Sequence, residues 1–202
     1  MPAPTLTAAS PHRSTAAPTV SDEKLIQQIA EGNKLAMRAL FARHQVRVYR
    51  FALRIVRDSA LADDVVSEAF IDVWQHASRF QGRSSVTTWL LGIARHKALT
   101  ACSRRPTESL DCEMALEVVD PANNPEVELG HKDTGSVIRR CLGALSPEHA
   151  EIIDLVYYQE KSIKEIVEIL GIPDNTVKTR MFYARKRLAA LVAAEGIDRA
   201  AA

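Results

Sequence analysis

The sequence predicts an all-α protein of two small helical domains joined by a flexible linker. Three observations carry the prediction. Apolar residues recur every three or four positions on both sides of the segment 106–135, and the N-terminal half shows no two-residue alternation of the strand type. The segment itself is broken by Pro106, Pro121 and Pro125 and is loaded with carboxylates. Near the C-terminus, Gly171-Ile172-Pro173 separates two apolar-periodic stretches, the pattern of a helix, a tight turn and a helix.

The first helix is expected to be short, capped by Ser21, to carry Leu25, Ile26 and Ile29, and to stop at Gly32-Asn33. Residues 1–20, rich in Ala, Pro, Thr and Ser, read as a disordered tail. A long helix from Lys34 to about Arg57 follows, with Met37, Leu40, Phe41, His44, Val48, Phe51, Ala52 and Ile55 as its buried stripe. Arg43, Arg47, Arg50, Arg54 and Arg57 fall on its other side, either a solvated face paired with neighbouring acids or a surface attracted to DNA or an acidic protein. The third helix has two apolar rows, Leu61-Val65-Ala69-Val73 and Ala62-Val66-Phe70-Trp74, and an acidic ridge of Asp64, Glu68 and Asp72. A loop from Gln81 to Ser85 then leads into a helix over Val86–Ala101.

Beyond the linker, Val137, Ile138, Cys141 and Leu142 share one helical face. Ser146-Pro147 is a cap followed by proline at the first helical position, with Ile152, Ile153 and Val156 buried. Ser162 to Leu170 is the next helix, with Ile163, Ile166, Val167 and Leu170 apolar. The last helix is capped by Asp174 or Asn175 and packs Val177, Met181, Ala184 and Leu188 inward.

Net charge is only +1, but the charges are segregated. Asp58 to Ser78 holds acids and no Lys or Arg, and an exposed acidic ridge with no local cation fits a basic protein partner. From Val73 to Thr107 there is no acid, while Arg79, Arg83, Arg95, Lys97, Arg104 and Arg105 alternate with Trp74, Phe80 and Trp89. Cations for phosphates and flat rings for unstacked bases suit single-stranded nucleic acid.

This arrangement resembles region 2 of the bacterial sigma-70 family in its extracytoplasmic-function (ECF) branch. The matching residues are Ala62-Asp63-Asp64-Val65-Val66-Ser67-Glu68-Ala69-Phe70 with Val73-Trp74, then Phe80-Gln81-Gly82 and Thr88-Trp89-Leu90-Leu91-Gly92-Ile93-Ala94. The resemblance implies region 2 over 21–105, the linker over 106–135, region 4 over 136–195 and a tail over 196–202. It implies docking of the acidic helix on the β′ coiled coil of core RNA polymerase through Asp63, Asp64, Glu68 and Asp72, with Phe70 or Trp74 as apolar anchor. Their place in the apolar rows reads Phe70 and Trp74 equally as core. It also implies a promoter −10 reader made of Phe80, Arg83, Ser84, Ser85, Trp89, Arg95, His96 and Lys97, in which a flipped base is held by stacking and polar contacts. Trp89 is either core or a stacking platform. His96 stands where relatives usually carry Asn.

On the last helix, Thr176, Lys178 and Thr179 are placed to meet base edges in the major groove, with Phe182 against a thymine methyl. Arg180, Arg185, Lys186 and Arg187 suit phosphates, and Tyr183 shares their surface. In the ECF family this module reads the −35 element. Promoter DNA, core polymerase and an anti-sigma factor are thus the partners implied, and no residue identifies the last.

Other functions find little support. No Gly-rich phosphate loop, Ser/His/Asp register or facing carboxylate pair points to an enzyme, and no cofactor is implied. Cys102, Cys112 and Cys141 are odd in number and lack a CxxC pair, which fits a reducing cytoplasm; with His131 they match no standard zinc spacing. No apolar run is long enough to cross a membrane. Two alternatives stay open: a stand-alone LuxR-like helix-turn-helix regulator, which leaves the acidic helix unexplained, and a helical protein-binding adaptor.

Overall fold

The computed structural model describes residues 20–104 and 131–195, with side chains from 135 onward in the second span. The predicted tails, apart from Val20, and the predicted linker up to residue 130 lie outside the described residues, as does Cys112.

The N-terminal unit contains α1 (Asp22–Ala30), α2 (Lys34–Val56), α3 (Ser59–His76) and α4 (Val86–Arg104). Side-chain caps set their starts. Ser21 Oγ accepts from Lys24 N, Asn33 Oδ1 accepts from Leu35 N and Ala36 N, and Asp58 Oδ1 accepts from Leu61 N. Arg57 ends α2 in the left-handed conformation, φ 54°.

Helices α2, α3 and α4 pack on one another, and α1 lies against α2. Leu40, Phe51, Ala62, Ala69, Val73, Leu90, Leu91, Ala94 and Ala98 are buried in this core. Truncating Phe51 to Ala would cost about 3–5 kcal/mol. At the alanines a larger side chain would have to displace a neighbouring helix.

A polar clamp fixes α1. Asp22 accepts from Arg43 Nη1 at 2.7 Å and faces His44 Nε2 at 2.6 Å. Burial pushes the Asp22 carboxyl up, but the Arg43 and His44 hydrogen bonds and charges outweigh it and hold the group below its ordinary value. His44 is thus a buried, hydrogen-bonded core residue.

The C-terminal unit contains α5 (His131–Gly143), α6 (Pro147–Ile153), α7 (Ile163–Leu170) and α8 (Asp174–Ala194). Ser146 caps α6 with Pro147 in its first turn. Ser162 and Glu165 form a reciprocal capping box on α7, and Gly171, φ 67°, closes that helix. Residues 163–194 are therefore a helix-turn-helix.

Several details depart from the sequence-based expectations; on α2, Met37 and Ile55 are only half-buried and Val56 is buried. Helix α5 starts at His131, inside the predicted linker. A π-helical turn over Asp154–Tyr158 extends α6 and turns Leu155 and Asp154 inward while Val156 is only half-buried. Neither Asp174 nor Asn175 caps α8: Pro173 occupies the cap position without a side-chain bond, and Asp174 pairs with Lys178 instead. Phe41 is partly exposed, because it lies edge-on over Phe70 at the rim of the bundle.

The two units touch. Helix α4 packs along α7, and α2 meets α6.

Candidate nucleic-acid interface

The turn before α8 presents the helix N-terminus outward. Val177 and Ala184 anchor α8 in the core, which leaves Lys178, Thr179, Phe182, Tyr183, Arg185 and Lys186 exposed and Thr176 half-buried. Phe182 is 62% exposed and lies edge-on to Tyr183 at 5.4 Å between centroids. An apolar ring left in water on a cationic helix face is suited to a groove lined by methyl groups. Lys178 Nζ is 2.8 Å from Asp174, Arg180 is 3.6 Å from Glu148, and the Arg185 guanidinium sits over the Tyr157 ring at 5.6 Å. These exposed pairs are weak and exchangeable for phosphate.

The start of α4 is organised by Ser85, whose Oγ accepts from Thr88 N at 3.2 Å and lies 2.8 Å from Thr88 Oγ1. Gly82 turns the preceding loop with φ 66°. Phe80 and Trp89 pack against each other, tilted by 46° with centroids 5.2 Å apart, both half-buried. Trp89 is half-buried and lines a cleft of about 470 Å³ together with Ser84, Gly92, His96 and Glu168. Arg83 and His96 are exposed.

Two of these predicted nucleic-acid contacts are occupied by carboxylates of the C-terminal unit. Arg95 Nε and Nη2 donate to Glu151 at 2.7 and 3.3 Å. Ser85 Oγ and Thr88 Oγ1 donate to Glu165 Oε1 at 3.3 and 2.7 Å. Burial pushes the Glu165 carboxyl up, but hydrogen bonds from Thr88, the Ser162 backbone, Lys161 and the Ser162 hydroxyl outweigh it and hold its pKa at about 2. Close by, Arg54 pairs with Asp154 and covers the Tyr158 ring at 3.9 Å. Burial pushes the Arg54 guanidinium down, against the Tyr158 phenol and together with like charge on Arg50.

On α3, Asp63, Asp64 and Glu68 are exposed, and Asp64 and Glu68 line a shallow groove with Ile71 and Arg104. Phe70 is 3% exposed and packs on Phe41, so it supports this surface from beneath. Trp74 is 37% exposed and Ile71 55%, which makes them the accessible apolar groups of the helix. Asp72 is not free of cations: Lys97 Nζ reaches it at 3.4 Å from α4.

Comparison with known proteins decides what this pair of units is. Residues 40–106 match the model of Sigma-70 region 2, and residues 136–188 match Sigma-70, region 4. The ECF RNA polymerase sigma factor SigL of Mycobacterium tuberculosis is 31% identical over 168 residues, 81% of this chain and 92% of the relative. The chain belongs to the ECF sigma factors of the sigma-70 family. The ECF RNA polymerase sigma-E factor of Haemophilus influenzae is 30% identical over 181 residues, 84% of this chain and 94% of the relative. CnrH, solved in complex with the cytosolic domain of CnrY, superposes with a TM-score of 0.63 at 25% identity, covering 86% of this chain and 97% of that one. RpoE from Bartonella quintana, solved with the anti-sigma factor NepR, shares the fold with a TM-score of 0.62 at 23% identity over 80% of this chain and 98% of that one.

As an ECF sigma factor the chain directs transcription initiation by RNA polymerase and is not an enzyme. The stand-alone regulator reading leaves the region 2 match without a place, and it is not favoured. No helix of the described residues is long and apolar enough to cross a membrane.

Sequence reasoning missed Glu151, Asp154 and Glu165, the acids that region 4 turns toward region 2. Only the burial of Asp154 carried a signal in principle, since a lone acid among Ile152, Ile153 and Leu155 requires a partner.

Proposed function

We propose that this ECF sigma factor divides promoter recognition between two faces and polymerase docking onto a third. Region 4 reads the −35 duplex with Thr176, Lys178 and Thr179 on base edges, Phe182 on a methyl group, and Arg180, Tyr183, Arg185 and Lys186 on the backbone. Region 2 captures the −10 strand with Phe80 and Trp89 as stacking rings, Ser84, Ser85 and His96 as polar contacts, and Arg83, Arg95 and Lys97 on phosphates. Asp63, Asp64 and Glu68, with Trp74 and the unpredicted Ile71, meet the basic β′ coiled coil of core polymerase, while Phe70 and Asp72 hold that face in place. The units span 21–105 and 136–195, and the second is extended at its start by α5 from His131.

The observation that carries the reading is the surface of α8. Its cations and the exposed Phe182 have no structural task in the core, and they follow directly on the capped turn that aims the helix outward. The chain would work in the cytoplasm, where its polymerase is. An anti-sigma partner is implied by the family, and the solved relative CnrH is held by the cytosolic domain of CnrY.

A reconstituted holoenzyme tests the division. Arg83→Glu/Arg95→Glu should leave −35 duplex binding within about twofold and abolish permanganate-detected opening at −10. Opening that survives the double change would remove the −10 assignment.

A further inference from the structure

Helix α1 is nine residues long, too short to persist in water on its own, yet Leu25, Ile26 and Ile29 are fully buried. The helix packs on α2 and on the 3₁₀ turn over Ala77–Arg79, whose Ala77 is buried. The −10 loop starts from that turn. Phe80 N donates to the Ala77 carbonyl at 3.1 Å, the Phe80 ring packs on Trp89, and Gln81 to Ser85 follow. Those five residues form neither helix nor strand, so what they pack upon sets their position.

One carboxylate ties the start of α1 to two consecutive residues of α2. Arg43 Nη1 donates to Asp22 Oδ1 at 2.7 Å and to the Val20 carbonyl at 2.6 Å, while the buried His44 brings Nε2 to 2.6 Å from Asp22 Oδ2. We propose that α1, locked by Asp22, is the floor on which the −10 loop is set, and that Asp22 is a positioning residue for base capture acting through Ala77 and Phe80. This rests on the assignment of Phe80 and Trp89 to −10 binding. A pocket for a flipped base discriminates only while its walls are held within about 0.5 Å of the productive geometry. Phosphate contacts through long cationic side chains tolerate more displacement. Release of α1 therefore costs base discrimination and leaves the electrostatic part of binding in place.

The test uses reconstituted holoenzyme and non-template −10 oligonucleotides from a promoter that it opens, each with one base replaced by an abasic site. For the wild type, the abasic site at the captured position should weaken binding about tenfold. Asp22→Ala should shrink that difference to about twofold, with core binding and −35 duplex binding within about twofold of wild type and the salt slope unchanged. Asp22→Asn keeps an acceptor for Arg43 and should fall between. Val65→Ala, a core truncation on α3 away from the clamp, lowers stability as well and should keep the full discrimination.

Undiminished discrimination in Asp22→Ala, or an equal loss in Val65→Ala, would overturn the positioning role while leaving the −10 site standing. A wild type indifferent to every abasic site would remove the −10 assignment itself, and the role of α1 with it.

Discussion

Arg54→Ala removes the cation that meets a carboxylate buried inside region 4. The Asp154 carboxylate keeps a hydrogen bond from Gln159 Nε2 at 3.3 Å to Oδ2, and among the described residues nothing replaces Arg54 at Oδ1. Breaking a fully buried pair costs about 3–5 kcal/mol; here Arg54 is about a third exposed, which lowers the expected loss to about 2–3 kcal/mol. For a chain of this size that is a fall of about 4–12 °C in melting temperature. Asp154→Asn removes the charge that needed Arg54 and keeps the contact with Gln159, so adding it to Arg54→Ala should restore about 1 kcal/mol or more. The assay is urea unfolding of the four proteins of the cycle, followed by circular dichroism and by the fluorescence of the two tryptophans, both in region 2. A loss under about 0.5 kcal/mol for Arg54→Ala, with no coupling to Asp154→Asn, would refute the claim that the pair joins the units.

Further predictions concern caps, pH and DNA. Ser162→Ala deletes one half of the α7 capping box and should cost about 1 kcal/mol in urea unfolding, with −35 binding weakened because α7 positions the turn. Glu165 has a folded pKa near 2, below its unfolded value near 4.5, so its contribution is complete above about pH 4.5 and is lost as pH falls toward 2. Stability in urea should decline across that window, and Glu165→Gln should flatten this part of the profile. Lys178→Ala should cost about 1–3 kcal/mol on the preferred −35 sequence and relax selectivity at one base pair, whereas Lys186→Ala should weaken all sequences alike and reduce the salt slope by about one, both read by holoenzyme binding titrations.

Most of the architecture was legible because it is local. The four-residue rows of α3, the Ser162 and Gly171 boundaries of α7 and the inward row of α8 each follow from residues within one or two turns. The π turn was not legible, since a single extra residue in the ladder shifts the register without changing composition, and it exchanged Val156 for Leu155 in the core. The predicted acidic ridge included Asp72, whose cation Lys97 arrives from another helix. Phe70 and Trp74 belong to the same row, yet the bundle's edge falls between them, a boundary set by α2 and its Phe41. The contacts of Arg54, Ser85 and Arg95 join residues more than fifty positions apart, where periodicity carries no information.

The docking face is tested most directly by mixing the purified chain with core RNA polymerase and measuring complex formation for the wild type and for Asp64→Lys/Glu68→Lys. Both acids are exposed on α3, so the change should leave helix content and melting unaltered. The wild type should bind tightly and the double variant should lose about a hundredfold or more, since two attractive charge contacts become repulsive. Binding of the folded variant at wild-type strength would contradict the assignment of this face.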